Sequence, residues 1–160
     1  MEQSLIDECI NCIKEINHNS NIYILPKKGF SDYLNLKSDN HLFIVDVNRK
    51  GRKKPQFTLQ LRNRSFKDYT LIRLDIFGPD HQNPPGNFPY AGKRIPCPHI
   101  HIANSEYGAK VAYPLNESYA KMYLTNDQLE DLIIILQKFL EYCEVGNINS
   151  IGYNLQEDLI

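Results

Sequence analysis

The chain predicts an α+β fold, a curved and mainly antiparallel sheet with an N-terminal and a C-terminal helix packed on one face. Three observations carry that expectation. Apolar residues recur at helical spacing only near the two ends of the chain. Between them the pattern shortens to runs of four to eight residues that alternate or are continuously apolar, punctuated by Gly, Pro and Asn. With 160 residues, 42% apolar and 23% charged, the chain fits one globular domain over 1–160.

Residues 4–17 place Leu5, Ile6, Cys9, Ile10, Ile13 and Ile16 on one helical face, with His18 expected at the exposed helix end. From Asn21 the strand signals begin: Ile22 to Leu25, Tyr33 to Leu36, and the almost wholly apolar His41 to Val47, a central strand with Asp46 as its exception. Gln56 to Arg62 and Tyr69 to Phe77 form a hairpin. Its Leu59, Leu61, Ile72, Leu74 and Ile76 face one way, and Gln60, Arg62, Arg73 and Asp75 the other. Together these make a sheet of about five or six strands.

Gly78 to Arg94 is rich in Gly and Pro and is expected to be an irregular loop. A short strand from Lys110 to Tyr113, ended by Pro114, follows the turn at Asn104 to Gly108. Thr125 with Gln128 has the form of a capping box opening a helix to Cys143, stopped by Gly146. Leu129, Leu132, Ile133, Leu136, Leu140 and Cys143 lie on its apolar face. The segment to Ile160 carries no clear signal.

Charge is distributed unevenly. Between Arg49 and Arg73 nine Lys or Arg stand against the single acid Asp68, whereas Glu117 to Ile160 holds eight acids against Lys121 and Lys138. A basic segment of this kind suits an anionic partner, and also suits a solvated loop balanced by an acidic helix. No apolar run is long enough to cross a bilayer and the N-terminus lacks a secretion signal, so a cytoplasmic protein with no membrane partner is expected. The four cysteines are then expected to be reduced, and Cys9 and Cys12 to be helix positions facing the core, not a zinc or redox motif.

The chemistry concentrates in Ile95-Pro96-Cys97-Pro98-His99-Ile100-His101-Ile102. In an extended strand Cys97, His99 and His101 share one face. Two imidazoles there can take and give protons near neutral pH. Three readings compete. In the first, the protein is a metal-independent endoribonuclease with no cofactor. His99 and His101 are its acid and base, with His81 able to stand in for either. Arg62, Arg73, Tyr107 and Lys110 contact phosphate, and Arg49, Lys50, Arg52, Lys53 and Lys54 hold the RNA backbone. In the second, Cys97, His99 and His101 bind zinc. In the third, the protein is a non-enzymatic inhibitor that docks on a host defence protein or its guide RNA, and His99, His101 and Asp75 are structural hydrogen-bonding groups.

The segments Phe43-Ile44-Val45-Asp46-Val47-Asn48-Arg49-Lys50-Gly51, Arg73-Leu74-Asp75-Ile76, Gly78-Pro79-Asp80-His81-Gln82-Asn83-Pro84, Pro96-Cys97-Pro98-His99-Ile100-His101-Ile102 and Glu106-Tyr107-Gly108, with Gln60, Arg62, Lys110 and Ala112-Tyr113-Pro114-Leu115, resemble DUF6978. This is a family of small uncharacterised bacterial and prophage proteins, and the resemblance spans roughly residues 40–145. It departs at Asn83-Pro84-Pro85-Gly86, where the family usually continues Asn-Pro-Asp-Gly, and in an insertion running to Arg94. The resemblance implies a phage or mobile-element setting, where small proteins act on nucleic acids or on defence enzymes. An anti-defence role, anti-CRISPR included, belongs to that setting.

Overall fold

The computed structural model describes residues 1–51 and 56–156. Helix α1 (Gln3–Asn11) opens the chain, followed by strands β1 (Glu15–Ile16), β2 (Ile22–Leu25), β3 (Ser31–Lys37), β4 (Leu42–Asn48), β5 (Phe57–Asn63) and β6 (Ile72–Phe77). Then come β7 (His81–Gln82), β8 (Arg94–Ile95), β9 (His99–Ile102), β10 (Ala112–Pro114), helix α2 (Leu132–Tyr142) and β11 (Gly152–Leu155). Seven strands form the main sheet in the order β1-β3-β4-β5-β6-β9-β10, one or two more than the sequence suggests. Every pairing in it is antiparallel, and the fold is α+β.

Alternation does what the sequence pattern requires. Along β5 the odd positions Phe57, Leu59, Leu61 and Asn63 are buried, while Thr58, Gln60 and Arg62 are partly exposed. The register carries this across the sheet: Leu34 pairs with Val45, Val45 with Leu61, Leu61 with Ile72, and Ile72 with Ile102. Paired residues share a face. These side chains join Cys9 of α1 and Ile135, Leu136, Phe139 and Leu140 of α2 in one buried cluster.

On the opposite face the same register builds two polar rows. One runs Tyr33, Asp46, Gln60, Arg73, His101 across five strands, the other Ser31, Asn48, Thr58, Asp75, His99. The unbroken β5–β6 register sets Thr58 opposite Asp75, and a bulge between Phe57 and Thr58 then places Phe57 opposite Phe77.

Several elements depart from expectation for identifiable reasons. The first helix stops at Asn11, not near Asn17, and Cys12 is already extended. Beyond it burial alternates with a period of two: Ile13 is 74% exposed while Lys14 and Ile16 are buried, and Glu15–Ile16 pairs with the edge of β3. The ammonium of Lys14 donates to the carbonyls of Ile10, Cys12 and Cys143, tying the ends of both helices together. Positions 13 and 16 therefore fit a helical face by spacing, but the buried lysine and the sheet edge decide the conformation. His18 accordingly lies outside the helix, its Nε2 3.0 Å from the Ile22 carbonyl. Cys12 caps the helix and is only partly buried, whereas Cys9 is in the core; all four cysteines are free thiols.

The capping box at Thr125 forms, with Gln128 Oε1 accepting from the Thr125 amide and Thr125 Oγ1 from the Gln128 amide. It starts a 3-10 turn, Gln128–Glu130, and α2 begins only at Leu132, capped by the carboxylate of Asp131, which accepts from the amides of Ile133 and Ile134. Glu144, at φ 65°, takes the left-handed position before Gly146 is reached. The closing segment has a defined role: β11 lies parallel to β2 in a separate two-stranded sheet. Among the described residues no helix is long and apolar enough to cross a membrane.

Candidate active site

The polar face ends in a cleft of about 400 Å³ where β6 and β9 meet the loop after β6. It is lined by Arg73, Asp75, His81, His99, His101 and Lys110, among others. His99 and His101 sit two apart on β9 and so point the same way. Asp75 is the register partner of His99, and Arg73 that of His101. The third histidine arrives from the loop. That segment is not wholly irregular, because His81–Gln82 pairs with Arg94–Ile95 and closes its base next to the His strand. Asn83, itself buried, fastens the loop to β10 by accepting from the Ala112 amide and donating to the carbonyls of Ala112 and Tyr90.

Asp75 is the hub. Its Oδ1 accepts from Thr58 Oγ1 at 2.8 Å and Arg73 Nε at 3.1 Å. Its Oδ2 lies 3.1 Å from His99 Nε2 and 3.4 Å from His101 Nε2. Burial alone would raise this carboxyl, but the contacts from His101 and His99, the Arg73 charge and the Thr58 hydroxyl outweigh it and hold Asp75 well below the usual carboxylate range.

Each imidazole also faces a main-chain carbonyl: His99 Nδ1 faces Pro96 O at 3.3 Å, His101 Nδ1 faces Ala109 O at 2.8 Å, and His81 Nε2 faces Lys110 O at 2.6 Å. A carbonyl only accepts, so those nitrogens carry hydrogen. For His99 and His101 the other nitrogen points at the Asp75 carboxylate, which also accepts, so each ring meets an acceptor at both nitrogens. Burial pushes His99 down, but the hydrogen bond to Asp75 and the neighbouring Cys97 thiol outweigh it and raise its pKa to about 9. His81 is different. Burial and the neighbouring rings of His101 and His99 lower its pKa against the opposing effects of the Lys110 carbonyl and Asp75. Its Nδ1 hydrogen-bonds to no described residue. The His81 and His101 rings lie edge to face, 4.6 Å between centroids.

The sequence-expected contacts separate on folding. Arg73 and Lys110 line the cleft. Arg62 stands on the same sheet face but in an adjoining cleft, where its Nε and Nη2 grip both oxygens of Asp46. Arg49 donates Nη1 to the Pro26 carbonyl, while Lys50 is exposed. Arg52, Lys53 and Lys54 lie outside the described residues, although Asn48 and Gln56 on either side of that basic stretch line the cleft. Tyr107 packs against Phe88, with ring centroids 4.9 Å apart, and is not part of the cleft wall.

Cys97 does not join His99 and His101 as a ligand set. Its Sγ is 3.7 Å from His99 Nδ1, whereas the Nε2 side of the ring faces Asp75. Among the described residues the group that converges is Asp75, His99 and His101. By sequence pattern Asp75 stands out only as a structural group on the polar face, and Thr58 does not stand out. The signal for Asp75 was its place two residues after Arg73 on the polar side of β6.

A family model of unknown function, DUF6978, matches residues 1–145 of the 160. The chain belongs to this family. The match reaches back through α1 and the first strands, beyond the segments that carry the resemblance in the sequence. DUF6978 membership thus covers the whole cleft and assigns it no activity. No curated protein and no solved structure matches the chain.

Proposed function

We propose that this DUF6978 protein is a cytoplasmic, metal-independent endoribonuclease that cleaves RNA by transfer of the phosphodiester to the adjacent 2'-hydroxyl. One observation carries the reading: three imidazoles with different surroundings share one cleft, His81 with an Nδ1 that bonds to no described residue, and His99 and His101 with an acceptor facing each nitrogen. A base and an acid side by side are what transesterification needs.

His81 Nδ1 takes the proton of the 2'-hydroxyl, and the oxygen forms a bond to phosphorus. The bond to the 5'-oxygen breaks, and that oxygen takes a proton from His101 Nε2. The products are a 2',3'-cyclic phosphate and a 5'-hydroxyl. Arg73, whose Nη groups bond to no described residue, and Lys110 face the same cleft and balance the phosphoryl oxygens as charge builds on them. Asp75 and His99 hold the His101 ring and its proton in place.

The test is cleavage of labelled structured RNA in excess EDTA. Wild type gives discrete fragments with cyclic-phosphate ends, and a 2'-deoxy nucleotide at the cut position blocks the cut. His81→Gln and His101→Gln each slow cleavage by about 10²- to 10⁴-fold. RNA that stays intact, or cleavage undiminished in both variants, overturns the reading and turns attention to stoichiometric binding of a defence protein or its guide RNA.

A further inference from the structure

We infer that Asp75, His99 and His101 form a binding site for a single divalent transition-metal ion of the zinc type, and that the bound ion switches the cleft off. The second half rests on the acid–base reading above; the first does not.

Two independent features point to a cation. Asp75 Oδ2, His99 Nε2 and His101 Nε2 lie within 4.8 Å of one another, and the carboxylate oxygen is 3.1 Å and 3.4 Å from the two nitrogens. Donor atoms about 2.0–2.1 Å from one tetrahedral zinc stand about 3.3 Å apart, which both carboxylate–imidazole separations match. Both rings have their remaining nitrogen on a main-chain carbonyl, Pro96 O for His99 and Ala109 O for His101. That outer contact selects the tautomer whose Nε2 lone pair is free to ligate. Two imidazoles and a carboxylate suit zinc or cobalt better than magnesium or calcium.

The ion and the acid are mutually exclusive, because the metal occupies the Nε2 of His101 from which the proton is delivered. His81 Nδ1 and Cys97 Sγ lie outside the converging set. The three protein donors leave a fourth position open.

The experiment titrates untagged full-length protein, first stripped with EDTA and desalted, with Zn2+ alone by calorimetry, and with Co2+ by visible absorption. One equivalent binds wild type and Cys97→Ser, and His99→Gln and His101→Gln weaken binding by more than about 100-fold. As a control that needs no variant, Zn2+ shifts the Nε2 resonances of His99 and His101 in ¹⁵N spectra of the wild-type protein. The absence of saturable binding, or binding abolished by Cys97→Ser and untouched by the two histidine variants, overturns the site. RNA cleavage is then followed across the same titration and falls as the site fills. Cleavage that is unchanged or rises with saturating Zn2+ overturns the switch-off. A protein that cuts no RNA at any Zn2+ concentration but binds one equivalent fails the acid–base reading, while the metal site stands.

Discussion

Replacing Asp75 by Asn tests the buried cluster most directly. The amide keeps the shape of the carboxylate but puts a donor where one acceptor oxygen stood, facing His99 Nε2 at 3.1 Å and His101 Nε2 at 3.4 Å. The variant also lacks the negative charge that favours the imidazolium form of His99. The magnitude follows from His99, whose pKa rises from 6.5 to about 9 in the fold, worth about 3 kcal/mol. The His99 side chain is only 2% exposed, so solvent screens little of this. A pKa raised by folding stabilises fully below the unfolded value near 6.5 and is lost as the pH climbs through about 9. Asp75→Asn removes the Asp75 contribution, the first of the raising causes, and leaves that of Cys97. Urea unfolding in EDTA, from about pH 5.5 to 10, should show wild type losing about 3 kcal/mol across that window and the variant losing markedly less. At about pH 6 the variant should melt about 6–12 °C below wild type, the shift expected for that free energy in a chain of this size. An equal fall in stability for both proteins between pH 6.5 and 9 would refute the donor accounting.

Two further substitutions probe what holds the cleft and the helices. Lys14→Met fills much the same space but strands the carbonyls of Ile10, Cys12 and Cys143, and should destabilise by about 2–4 kcal/mol in thermal or urea melts; a change below about 0.5 kcal/mol would mean those carbonyls find other partners. Asn83→Ala deletes three hydrogen bonds to Tyr90 and Ala112 and should speed hydrogen exchange at the Ala112 amide while slowing RNA cleavage, since His81 rides on the same loop; unaltered exchange at Ala112 would refute that anchoring.

Local chemistry decided much of this molecule in advance. A side chain's face in a strand depends only on the period of two, so Leu59 and Leu61 against Gln60 and Arg62, and His99 beside His101, were legible from spacing alone. The capping box at Thr125 was legible for the same reason, being a contact between residues three apart. What spacing leaves open is which strand lies beside which and in what register, because those depend on the whole core. Register put Asp75 opposite both His99 on one side and Thr58 on the other. The pairing of His81–Gln82 with Arg94–Ile95 carried His81 into the cleft from a stretch whose composition signals only a loop. Long-range partners also overruled local pattern: Lys14 ended a helix its neighbours would have continued, and Asp46 claimed the Arg62 that charge alone assigned to phosphate. Residue types and faces were therefore determined by the sequence, while the acceptors that surround the three imidazoles were decided only by the tertiary structure, because a ring's protonation answers to the acceptors folded against it.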